Sequence, residues 1–168
     1  MKFFNTHNTY SLHLLTALFT GLFLWTACNN PAGSDDDDEH EDPFGVALIM
    51  NGVEIATQEN GEITYSEGDH LELEVGEETS LITVRFIAED GDRFQPDEDD
   101  GYSLQWTIGD ENILEAEQHE EDGPWNFHLA GHSAGETTIS IILWHDDGNH
   151  DDFTSMEFEV HVEETASN

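Results

Sequence analysis

The pattern that most restricts how this chain can fold lies between Gly131 and Val162, where apolar residues alternate along two arms that flank a charged tip. Ile139, Ile141 and Leu143 alternate along the first arm, and Met156, Phe158, Val160 and Val162 along the second. A period of two puts such side chains on one face of a strand, so the spacing predicts a β-hairpin with one buried side. Residues 145–152, between the arms, hold two histidines and four aspartates.

The same period runs through the chain from Phe44 onward. Residues 46–50 and 53–56 flank Asn51-Gly52, a pair suited to the positive φ angles of a type I′ turn, and Asn60-Gly61 marks a second turn before residues 63–65. Further strands are predicted at 71–75, 81–87, 102–108, 113–116 and 125–129, ahead of the hairpin, with an acidic loop at 89–101. No segment sustains apolar residues at spacings of three and four. Short strands about ten residues apart without a helical period predict an all-β, immunoglobulin-like antiparallel β-sandwich with an N-terminal β-hairpin extension.

The N-terminal part predicts an address. Residues 1–27 carry one lysine, no acidic residue and an apolar run from Ser11 to Ala27, the outline of a secretory signal. Such a run could instead stay as a membrane anchor, since about 20 apolar residues span a bilayer. Leu24-Trp25-Thr26-Ala27-Cys28 resembles a lipobox, which implies that Cys28 is lipidated and becomes the new N-terminus. Cys28 is the only cysteine, so the domain must stand without a disulfide. The segment that follows includes Ser34-Asp35-Asp36-Asp37-Asp38-Glu39, a like-charge block that stays solvated and reaches about 20 Å as a coil. It is a spacer by composition, and it also resembles the acidic export signal of surface lipoproteins of the Bacteroidota. The expected organisation is a signal peptide over 1–27, lipidated cysteine and tether over 28–43, hairpin extension over 44–66, sandwich over 67–164 and a tail over 165–168.

Three stretches resemble a bacterial immunoglobulin-like domain of the Big2 type: Val75-Gly76-Glu77, the run from Leu104 to Asp110, and the run from Leu129 to Ile139. The likeness covers about residues 71–162. It implies that Trp106 is the core tryptophan of the third sandwich strand. It also implies extracellular display, adhesion or spacing, with no catalytic chemistry.

Charge narrows the partners. Thirty-nine acidic residues give a formal net charge of −36, and beyond residue 27 only Arg85 and Arg93 oppose them. Such a field disfavours nucleic acid and anionic membrane surfaces and concentrates cations. Solubility or salt adaptation explains the same acidity without a ligand.

Enzymatic motifs are few. Gly131-His132-Ser133-Ala134-Gly135 matches the nucleophile elbow of α/β-hydrolases, but the elbow needs a following helix and this one leads into β-branched Thr137, Thr138 and Ile139. Paired-carboxylate glycosidase chemistry cannot be picked from so many acids. Glycines 91, 101, 123 and 148 lack the aspartate five positions earlier that an EF-hand loop requires. The chain is expected not to be an enzyme.

Histidines are more informative. His7 and His13 leave with the signal and His40 lies in the tether, while His161 alternates with Glu157 and Glu159 on an outward face. His128, between Phe127 and Leu129, faces solvent or a covering segment. In an immunoglobulin-like sandwich the B–C, D–E and F–G loops share one end. That topology would bring His119 in the fourth-to-fifth strand loop towards His145 and His150, with Asp146, Asp147, Asp151 and Asp152 as oxygen donors. So many carboxylates within about 8 Å, one Debye length, repel one another, and a divalent cation relieves that. Imidazole with carboxylate suits zinc or copper ahead of calcium. The bland alternative is a solvated acidic loop tip. The expectation is an outer-membrane lipoprotein, displayed at the cell surface and held by its lipid anchor, with a non-catalytic module that binds a divalent metal. Its alternative is a metal-independent adhesion or spacer domain contacting an extracellular protein or glycan.

Overall fold

A computed structural model describes residues 42–165. The expected signal peptide, Cys28, nearly all of the expected tether and the last three residues of the expected tail therefore lie outside the described residues. Twelve strands follow in order: β1 (Gly45–Met50), β2 (Val53–Glu59), β3 (Glu62–Tyr65), β4 (Leu71–Glu74), β5 (Ile82–Ile87), β6 (Arg93–Phe94), β7 (Tyr102–Ile108), β8 (Leu114–Glu117), β9 (Asn126–Gly131), β10 (Gly135–His145), β11 (His150–Thr154) and β12 (Phe158–Glu163). The described residues contain no α-helix, only one 3-10 turn at Glu98–Asp100.

The strands form two sheets. One has the order β3-β2-β1-β5-β9-β8 with β6 beside β5, and the other the order β11-β10-β12-β4 with β7 beside β10. In immunoglobulin terms β1, β5, β9 and β8 are the A, B, E and D strands, and β7, β10 and β11–β12 are C, F and G. The pairing is antiparallel except where β4 runs parallel to β12, as an A strand does after it changes sheet.

The N-terminal extension is continuous with the sandwich. Its β1 pairs with β5 over six residues and its Val46, Ala47 and Leu48 are fully buried, so it supplies a central strand and only β2 and β3 extend the sheet. Asn51, Gly52, Asn60 and Gly61 all have positive φ, as both turns require.

Phe86, Phe127, Phe158, Leu48, Ile139 and Ile141 fill the space between the sheets with no exposure. Trp106 stacks on Phe127 with ring centroids 5.6 Å apart but is only half-buried, whereas Trp125 is the buried tryptophan at 5% exposure. Trp125 packs edge-on to Phe86, and its Nε1 donates to the Pro96 carbonyl at 3.1 Å.

One expectation fails in the second hairpin arm. Met156 was expected on the buried face with Phe158, yet it is 44% exposed, and its neighbour Ser155 is buried. The arm is broken into β11 and β12, which pair with different parts of β10. At the break, Ser155 donates its N–H to the Ile141 carbonyl, and its Oγ accepts the Ile141 N–H, both at 2.8 Å. A side-chain oxygen thus replaces the missing backbone acceptor, and the irregularity shifts the alternation by one residue. The Met156 N–H donates to Oε1 of buried Gln58 on β2, which ties this break to the opposite sheet.

Candidate metal centre

Three loops share the rim where the sequence placed them. The N–H of Asp146 in the β10–β11 turn donates to the Gly101 carbonyl at 2.8 Å, and Trp125 joins the β8–β9 connection to Pro96 of the β5–β7 connection. What they present differs from the expected ligand set.

His145 and His150 face each other across the last register pair of β10 and β11, with ring centroids 5.3 Å apart and planes at 64°. A second irregularity lies just inward. Leu143 pairs with Phe153 and Trp144 with Asp151, which leaves Asp152 as the extra residue. Without that insertion, strict alternation would place Phe153 and His150 on opposite faces. With it, Phe153 packs at 5.9 Å from Phe86 while His150 stays beside His145.

Asp152 is the hub of the tip. Its Oδ1 lies 2.7 Å from His150 Nε2 and its Oδ2 lies 3.7 Å from His145 Nδ1. One donor atom from each of His145, His150 and Asp152 can be chosen so that all lie within 4.8 Å of one another. Donors around a tetrahedral zinc are about 3.3 Å apart for bonds of about 2.0–2.1 Å, so the two carboxylate–imidazole spacings bracket that geometry. A hydrogen bond to the Gly148 backbone, and then the Asp152 charge, hold the His150 imidazolium above its ordinary range. Tyr102, opposite His145 on β7 with ring centroids 4.8 Å apart, hydrogen-bonds Asp152. Burial, followed by that carboxylate, pushes the Tyr102 phenol up to about 12. Gly148 leaves room for the pair: a Cβ there would lie 2.5 Å from His150 Nδ1 and 3.1 Å from His145 Nδ1.

The other expected donors are not in this group. Asp151 is paired with Trp144 and accepts the Thr154 hydroxyl at 3.0 Å. Asp146 accepts the Ser103 hydroxyl at 3.2 Å, and Asp147 Oδ2 lies 3.3 Å from where a Cβ on Gly101 would be. Asp146 thus ties the tip to β7, and Asp147 lies beside Gly101.

His119 is a further correction. It lies against His128, with ring centroids 5.5 Å apart, and groups with Glu78 and His128 rather than with His145 and His150. The turn from His119 to Asp122 explains this. The Asp122 N–H donates to the His119 carbonyl at 3.0 Å and the His119 N–H to Asp122 Oδ2 at 3.0 Å, curling the loop back over β9. Sequence reasoning missed His128, Glu78 and Tyr102 as neighbours of the candidate ligands. For His128 the signal was present, since its place between two buried residues, Phe127 and Leu129, turns it to the outer face.

The chain is thus an all-β protein of immunoglobulin-like sandwich architecture with a histidine–aspartate tip. No protein-family model matches the sequence, and no curated protein sequence matches it. Among solved structures it is similar to domains 4 and 5 of the S-layer protein SbsC, with 13% identity and a TM-score of 0.39. That likeness covers 72% of this chain and 66% of the other, so the chain spans just under two thirds of its length.

Proposed function

We propose that this chain is a non-catalytic binding module of a surface-displayed outer-membrane lipoprotein, with a Big2-like sandwich whose F–G hairpin tip takes a divalent transition metal, zinc or copper ahead of calcium. The observation that carries the metal reading is the convergence of His145, His150 and Asp152 at one hairpin tip. Histidine ligands commonly have their second nitrogen held by a carbonyl, and ligating carboxylates are themselves hydrogen-bonded. The Gly148 backbone meets the first requirement for His150, and Tyr102 meets the second for Asp152. An ion there would replace the proton that His150 shares with Asp152 and neutralise part of an acid-rich rim. Lipid attachment at Cys28 and the acidic tether supply the address in this reading.

Calorimetric titration with zinc chloride, in excess magnesium to saturate weak carboxylate sites, tests the tip. One equivalent is expected to disappear in the H145A/H150A double variant. An isotherm unchanged by that double substitution would sink the reading of the tip, and no zinc binding in the wild type would leave a metal-independent adhesion or spacer domain.

A further inference from the structure

We infer that Glu78, His119 and His128 form a second transition-metal site, on the outer face of the sheet opposite the one that bears the hairpin tip. One donor atom from each can be chosen so that all lie within 4.8 Å of one another. The three come from different parts of the chain: Glu78 from the β4–β5 connection, His119 from the β8–β9 connection and His128 from the middle of β9. The covering segment is fixed in place by the Glu78–Ala130 bridge, by Gly76 N–H donating to the Gly131 carbonyl at 2.8 Å, and by Thr79 N–H donating to the Leu129 carbonyl at 2.9 Å.

The hydrogen bonds of His128 are what turn proximity into a site. Its side chain is only 15% exposed, and its Nδ1 lies 2.9 Å from the Thr79 carbonyl. A carbonyl only accepts, so Nδ1 carries the proton, and in the neutral ring the lone pair is on Nε2. Nε2 in turn faces Asp122 Oδ2 at 3.5 Å, a carboxylate that also accepts only. A cation between them takes up the Nε2 lone pair and adds a second partner to Asp122 Oδ2, which already accepts the His119 N–H. Histidine ligands are oriented in this way, one nitrogen donating to a backbone carbonyl and the other bound to the ion. His119 supplies the second imidazole. Glu78 Oε1, 3.3 Å from His128 Nδ1 on a half-exposed side chain, supplies a carboxylate that can swing to the ion. Two histidines with the Glu78 and Asp122 carboxylates fill the four positions that zinc takes, and Glu117, 3.9 Å from His119 Nε2, adds negative charge beside them. An ion held there clasps the β4–β5 and β8–β9 connections onto β9.

This site does not depend on the hairpin tip, and the experiment keeps the two apart. The full chain carrying H145A/H150A is titrated with zinc chloride in excess magnesium, and with cobalt(II) to read visible d–d absorption from a low-coordinate, imidazole-bound ion. One equivalent is expected to remain, with a concentration-dependent rise in Tm, and both are lost when His119→Ala is added. Because His119 is half-exposed, that variant folds, and an unchanged metal-free Tm verifies it. Loss of all binding in H145A/H150A would overturn the second site and leave the tip standing. Retention of the equivalent in the triple variant would also overturn it. Wild-type binding that is indifferent to H145A/H150A but abolished by His119→Ala would support this site and overturn the tip.

Discussion

The two histidine groups are built in opposite ways. The tip takes all its donors from eight consecutive residues of one hairpin, whereas Glu78 and His128 are fifty positions apart and meet only because two connections fold over β9. A local group inherits its geometry from a turn and a strand irregularity. A non-local group inherits it from the whole sandwich. Damage to the core should therefore separate them, and so should damage to the hairpin.

The largest effect is expected from Phe127→Ala, under His128. Phe127 is fully buried and stacked on Trp106, and truncating a buried aromatic costs about 3–5 kcal/mol, read as a lowered urea midpoint at unchanged slope. Metal binding through His119 and His128 should weaken more than binding at the tip, and equal weakening would erase the contrast. Ser155→Ala acts on the other side. It leaves the Ile141 N–H without its acceptor inside the protein, a loss of about 1–3 kcal/mol. Here the tip should lose affinity while the His119 group keeps its own, because the break at Ser155 sets the register of β11.

A smaller effect is expected from pH in the metal-free protein. His150 has a folded-state value raised above the unfolded one, so its contact with the Gly148 backbone and Asp152 adds stability that is fully present below about pH 6.5, the unfolded value. That contribution is lost as pH rises through the folded value. Melting scans in chelator from pH 5 to 9 should show the slope, and Asp152→Asn should reduce it only in part, because the Gly148 backbone contact remains. The smallest effect is assigned to Arg93, whose Nε and Nη2 donate to Glu54 at 2.9 and 3.2 Å and fasten β6 to β2. That pair holds the Glu54 carboxyl below its ordinary range, so its stability is present above about pH 4.5 and fades as acid protonates it. Exposed pairs contribute about 0.2–1 kcal/mol, so Arg93→Ala should lower stability by no more than that in urea, with both metal equivalents intact.

Much of this molecule was legible before any coordinates. The Asn51-Gly52 and Asn60-Gly61 turns, the strand at 102–108 and the hairpin stem follow from φ preferences and a period of two, which act over a few residues. So did His145 and His150, since a hairpin brings the two sides of its own turn together. The acidic tract and the −36 charge were also plain in the sequence, being sums over residues.

Long-range packing decided the rest. Alternation carries no notice of an inserted residue, so the exchange of Met156 for Ser155 on the buried side and the selection of Asp152 over Asp151 appeared only where β10 met its partners. The partner of His119 depended on which way an eight-residue connection curled, a choice fixed by Asp122 and by the surface of β9. Sequence determined which strands exist and which residues carry charge and imidazole, because those are local properties. Which imidazole meets which carboxylate was left to the tertiary structure, because contacts between distant segments are set by how the whole core closes.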